Sequence, residues 1–278
     1  MRSLGKGNLL DAFDGKGSQL VGVPPIEPFE SFASWISRAA LSQGVVVPDL
    51  LEHLGIKRKV DMDIGLTRRH IQHAANLTGQ DQGRFWLVHH MFSTLRSFDP
   101  CGEKFLLFFD DVPCYRYCPV CLHQQTVSHF PLHWRFCGWR HCPLHNCMMD
   151  DRCRNCGMHV RLPRNLMSGG PKKEGVAYLH QCFSCEYNLA AHWKSVNGTA
   201  FGDVVKPSER IAMDQGRAVL SALYHGYFSY VGQSNRRYSL KGLLGFERSG
   251  NLPHFGFLLD SNEILRRRQV NLNGTTHN

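Results

Sequence analysis

The sequence predicts a mainly α-helical protein interrupted by small β lobes, and three observations predict it. Apolar residues recur at helical spacing from about residue 28 to residue 95, and again from about residue 207. The apolar runs between these stretches, such as Leu106-Leu107-Phe108-Phe109, are only strand-sized. Four pairs of ligand-type residues, each separated by two residues, lie between Cys118 and Cys185. Two residues between ligands is the spacing of a metal knuckle, where a tight turn brings both side chains to one tetrahedral ion. The fold class is therefore mainly α with small zinc-bound β lobes. It comprises an N-terminal helix-turn-helix-like bundle, two zinc-knuckle modules and a C-terminal helical region. The expected division is a flexible tail (1–23), a helical domain (24–100), a double zinc-binding module (101–190), a C-terminal helical domain (191–270) and a second flexible tail (271–278).

The first tail is broken by Gly5, Gly7, Gly15, Gly17 and Gly22 and carries few apolar residues. Pro28 suits the first turn of a helix, and Phe29, Phe32, Ile36, Ala39 and Ala40 then form an apolar stripe beside Trp35. Ser31, Ser34, Ser37 and Arg38 fall largely off that stripe, and Gly44 ends it. Pro48, Leu50, Leu51 and Leu54 predict a short second helix ending at Gly55. Thr67 opens a third that ends near Gly79, and Asp81 caps a fourth carrying Phe85, Val88, Met91, Phe92 and Leu95. Short helices with tight connections and basic residues fit a helix-turn-helix-like arrangement.

Residues 103–117 read as a strand, a turn at Asp110-Asp111 and a return. The knuckle pairs follow: Cys118/Cys121, Cys142/His145, Cys153/Cys156 and Cys182/Cys185. Tetrahedral zinc needs two pairs per ion, so the four pairs make two closed structural sites, each with four protein ligands. Sequential pairing is the simplest arrangement, and interleaved pairing remains open at this stage. Cys114 and Cys147 lie close enough in sequence to replace a ligand. Gly157 directly follows Cys156, where such a turn needs a positive φ. The alternating bulky residues of His129–Phe136 predict a strand packed on the zinc lobe, with Trp134 in the core. Beyond Cys185, Pro207 starts a helical stretch through Val219, Leu220, Leu223, Tyr224 and Tyr227, and Leu240–Phe246 predicts another.

A formal net charge of +9 points to an acidic partner, most simply nucleic acid. The candidate contacts are the loop Lys57, Arg58 and Lys59; Arg68 and Arg69, with Gln72 and His73, on the third helix; Arg135, Arg140 and His141; and Lys172 and Lys173. Further basic residues are Arg236, Arg237 and the run Arg266–Arg268. For any one such residue a solvated surface is the commoner outcome. No window reads as a membrane span or a signal peptide, so the expected setting is a reducing cytoplasm without a membrane partner.

Two blocks carry a family resemblance. The first is Pro24-Pro25-Ile26-Glu27 leading into Glu30–Ala40 with its Ser34-Trp35 and Arg38 pattern. The second is Tyr117-Cys118-Pro119-Val120-Cys121, then Leu132-His133-Trp134-Arg135, Cys142-Pro143-Leu144-His145 and Arg152–Gly157. Together they resemble the TniQ/TnsD family of transposon target-selection proteins over roughly residues 24–185. The resemblance implies no catalytic activity. It implies a cytoplasmic, nucleoid-associated adaptor that marks an insertion site and recruits an AAA+ ATPase regulator, which recruits the transposase. Some members bind target DNA themselves, and others sit, sometimes as homodimers, on an RNA-guided CRISPR complex of Cascade type. TnsD-type members are longer, with additional DNA-reading modules, so the resemblance favours an adaptor here. The alternatives are a zinc-dependent nucleic-acid enzyme and a zinc-ribbon transcription regulator. Against the enzyme, no His-x-Glu pair, paired carboxylates or glycine-rich phosphate loop stands out.

Overall fold

The structure, a computed structural model, describes residues 19–56, 61–97, 99–145, 147–162, 178–194, 219–225, 227–228 and 237–239. Among these the regular structure is mostly helix, with a few two-residue strands. Four helices come first: α1 (Phe32–Ser42), α2 (Val47–His53), α3 (Arg68–Thr78) and α4 (Gln82–Arg96). α1 packs on α2, and α3 on α4.

The helix boundaries follow capping chemistry. Thr67 and His70 form a capping box on α3, whose C-cap Gly79 takes a left-handed φ of 66°. The Asp81 carboxylate accepts from Gly83 N at the start of α4. α1 begins later than Pro28 predicts. Phe29 has a φ of 62°, its carbonyl accepts from Leu132 N, and Glu30 bridges to Pro131. Those backbone groups are committed to the cysteine-rich segment, and Ser31 caps the helix instead.

α1 is also buried on more than one stripe. Ser31, Ser34 and Ser37 are wholly buried, contrary to the sequence reading. Their hydroxyls are satisfied: Ser34 donates to Glu30 and accepts from Phe130 N, and Ser37 donates to Ala33 O. Small polar residues with local partners can thus lie at a close approach between segments. Leu20 N donates to Leu77 O and Gln43 donates to Val21 O, so residues 19–23 run along the helices.

The expected hairpin is present. β1 (Phe108–Phe109) pairs antiparallel with β2 (Val112–Pro113) across Asp110 and Asp111, whose φ values of 49° and 57° suit a two-residue turn. α5 (Pro119–Gln124) follows. The strand expected over His129–Phe136 is instead a 3₁₀ turn at Leu132–Arg135, capped by Pro131. Trp134 is buried as expected. β3 (His141–Cys142) and β4 (Cys147–Met148) form a second hairpin. Residues 219–225 are helical as expected, but Tyr227 lies in β5 (Tyr227–Phe228), paired with β6 (Tyr238–Ser239). The readings on Pro207, Leu240–Phe246, Arg236 and Arg266–Arg268 lie outside the described residues.

The buried apolar side chains form one cluster. It joins Trp35, Phe85 and Phe92 of the helices to Tyr117, Trp134 and Trp139 of the cysteine-rich segment and to Leu223. No helix among the described residues is long and apolar enough to cross a membrane.

Candidate metal centres

The eight sequence-predicted donors come together as two groups of four, Cys118/Cys121/Cys142/His145 and Cys153/Cys156/Cys182/Cys185. In each, all donor atoms lie within 4.8 Å of one another, so the geometry is the sequential pairing.

In the first group α5 supplies one knuckle. Cys118 is its N-cap, the Cys118 sulfur accepts from Cys121 N, and Pro119 sets the first turn. The β3–β4 hairpin supplies the other, and Tyr117 pairs with Asp150 to fasten the two together. His145 Nδ1 lies 3.5, 3.3 and 3.5 Å from the sulfurs of Cys118, Cys121 and Cys142, and Cys121 and Cys142 are 3.6 Å apart. A zinc ion with Zn–S of about 2.3 Å and Zn–N of about 2.0 Å implies tetrahedral edges of about 3.5–3.8 Å. The donor set fits. Gln124 Oε1 lies 2.8 Å from His145 Nε2. As acceptor it holds the proton on Nε2 and leaves the Nδ1 lone pair for an ion.

The second group is built from two turns of one design. Gly157 N donates to Cys153 O, and Glu186 N donates to Cys182 O, both at 2.8 Å. Cys153 N donates to Met158 O, and Cys182 N to Tyr187 O. The residue after the second ligand is left-handed in both, with φ of 74° at Gly157 and 61° at Glu186. Sulfur separations of 3.6 Å (Cys153–Cys185) and 3.7 Å (Cys156–Cys182) again match a tetrahedral edge. Cys153 and Cys182 are buried, and Cys156 is exposed.

Leu132-His133-Trp134-Arg135 joins the metal segment to the helices. Arg135, expected to face a phosphate or a partner, is wholly buried. It forms ion pairs with Asp61 at 2.7 Å and Asp63 at 3.2 Å, and its guanidinium lies over the rings of Phe108 and Tyr115. Asp63 also accepts from Tyr115 Oη at 2.6 Å and from Ala33 N in the first turn of α1. Burial raises the Asp63 carboxyl pKa, opposed by Arg135. Burial alone would lower the Arg135 pKa, but Asp61, Tyr115 and Asp63 outweigh it and raise it. Sequence reasoning missed Asp61, Asp63 and Tyr115. Their partners are distant in sequence, and no local spacing marks them. His141, also expected to face outward, is buried.

Of the remaining basic candidates, Arg68 and Arg69 are exposed in the first turn of α3, beside exposed Gln72 and half-exposed His73; Arg140 is exposed too. Lys57, Arg58, Lys59, Lys172 and Lys173 lie outside the described residues. A cleft of about 410 Å³ borders the first metal group, with Phe29, Met91, His133, Trp139, Leu144 and Tyr224 in its wall. Among the described residues no carboxylate lines it. Burial holds the His133 imidazole down to a pKa of about 4, so it is neutral at pH 7.

Helices that pack continuously against a segment holding two Cys/His groups define a protein in which metal-binding turns and a helical core form one unit. Residues 22–149, somewhat under half of the chain, match the TniQ family model. The match contains the whole first metal group, whereas the second group lies beyond it. No curated protein matches the sequence. The TniQ match associates the chain with transposition, in a general adaptor role.

Proposed function

We propose that the protein is a non-catalytic target-site adaptor in DNA transposition. It links target DNA, or an RNA-guided complex, to an AAA+ ATPase regulator and through it to the transposase. The observation that carries this reading is the TniQ match over residues 22–149, which includes both Ser34-Trp35…Arg38 and the first metal group. Both metal groups hold zinc as a structural ion, because each offers four donors at tetrahedral spacing. The helical residues 24–100 act as the helix-turn-helix-like unit and residues 101–190 as the zinc module. Exposed Arg68 and Arg69 contact phosphate and give salt-dependent, weakly specific DNA affinity.

A catalytic zinc site needs an open coordination position with a base beside it. Four protein donors per group and an adjoining cleft whose described lining holds no carboxylate favour the adaptor.

The test is a pull-down of the purified chain with an AAA+ transposition regulator, run with a DNA-binding titration in increasing salt. The expected result is ATP-dependent capture of the regulator and a steep loss of DNA affinity with salt, without DNA cleavage. Failure to capture the regulator, together with metal-dependent DNA cleavage lost on His145→Ala, would replace the adaptor with an enzyme.

A further inference from the structure

We propose that the first metal group is a five-donor site, in which Cys147 can take the coordination position of His145. The inference rests on the zinc reading of this group. Its starting point is the register of the β3–β4 hairpin, where Cys142 and Cys147 are direct cross-strand partners. Directly opposed residues of an antiparallel pair project to the same face. Cys142 is a donor, so Cys147 is directed to the same ion.

The side chain follows the backbone. Cys147 is 8 % exposed, and its sulfur lies 3.7 Å from that of Cys118, the separation expected along an edge of a zinc–thiolate tetrahedron. The compact set of four, with every donor within 4.8 Å of the others, contains His145 and not Cys147. The resident set is therefore three cysteines and His145, with Cys147 waiting against the Cys118–Cys142 side.

His145 is the replaceable member. It sits in the turn between β3 and β4, is only half-buried, lines the cleft and is held from behind by the exposed side chain of Gln124. The three cysteines are set by regular elements: Cys118 is the N-cap of α5, Cys121 lies within it, and Cys142 lies on β3. A thiolate is also a good ligand for zinc in a buried site. With the ring displaced, Cys147 would hold the ion in its place, its thiol proton passing to the freed imidazole.

The experiment uses the full chain and measures tightly held zinc after mild chelation, with cobalt substitution to count metal–thiolate bonds. Wild type should hold two ions with seven thiolate bonds, three in the first group and four in the second. His145→Ala should still hold two, with thiolate-to-cobalt charge-transfer absorption rising to that of eight bonds. Cys147→Ser should hold two with the wild-type spectrum. The double variant should hold one. A His145→Ala chain that holds a single ion or does not fold overturns the proposal, as does a double variant that keeps two. Loss of an ion from Cys147→Ser alone also overturns it, because Cys147 would then be the resident ligand. A wild-type chain without two zinc ions would instead refute the zinc reading.

Discussion

Arg135 shows how a single residue can be misplaced by sequence and then explain a joint. Its guanidinium is wholly buried, and its two carboxylate partners come from residues 61 and 63, far away in the chain. Removing one partner of a buried pair leaves the other charge without compensation, which costs about 3–5 kcal/mol. Arg135→Met should therefore destabilise the protein by about that amount in chemical denaturation. A loss below about 1 kcal/mol would mean the pair is worth no more than an exposed one. His133, two residues earlier, makes the neighbouring case for pH. Burial depresses its folded-state pKa to about 4 from 6.5. The unfolded chain takes up this proton below about pH 6.5 and the folded chain does not. Its contribution is complete above pH 6.5 and is lost as pH falls toward 4, on the order of 2–3 kcal/mol. His133→Phe should flatten stability against pH in that window relative to wild type. Parallel curves would contradict the shift.

The knuckle turns make the argument at the scale of an element. Gly157 and Glu186 occupy equivalent left-handed positions, yet only the glycine was readable, because glycine advertises the conformation and glutamate does not. A Cβ on Gly157 would meet nothing within 4 Å, so Gly157→Ala tests backbone strain without a clash. It should lower thermal stability by about 1–2 kcal/mol and leave the zinc content intact. A neutral substitution would remove the positive-φ requirement. The same contrast runs through the fold. α2, α3 and α4 and the Asp110-Asp111 turn follow from caps, glycines and periodicity, which act within a few residues. The donor groups were legible because knuckle spacing is local chemistry. The late start of α1, the burial of Ser31, Ser34 and Ser37, and the 3₁₀ turn at Leu132–Arg135 depend on partners about a hundred residues away. Period-two bulk at 129–136 mimicked a strand because Pro131 and tertiary packing decided the backbone there.

At the scale of the molecule, paired strands of two residues cannot hold a lobe by hydrogen bonding alone. The buried cluster nonetheless runs without a break from α1 to Trp139 and Leu223. On the proposed zinc reading, the ion supplies the folding energy of the turns, and the turns in turn cover one side of the helices. The helices should therefore feel the loss of metal. Cys118→Ser should lower the melting temperature of the helical circular-dichroism signal in a single transition. A helical signal that melts as in wild type would show that the helices stand independently.

The most direct measurement is zinc per chain by elemental analysis, before and after mild chelation, with helicity followed in parallel. The account predicts two ions per chain, both retained under mild chelation, with loss of helicity once they are stripped by a strong chelator. A folded, fully helical chain that carries no zinc would contradict it.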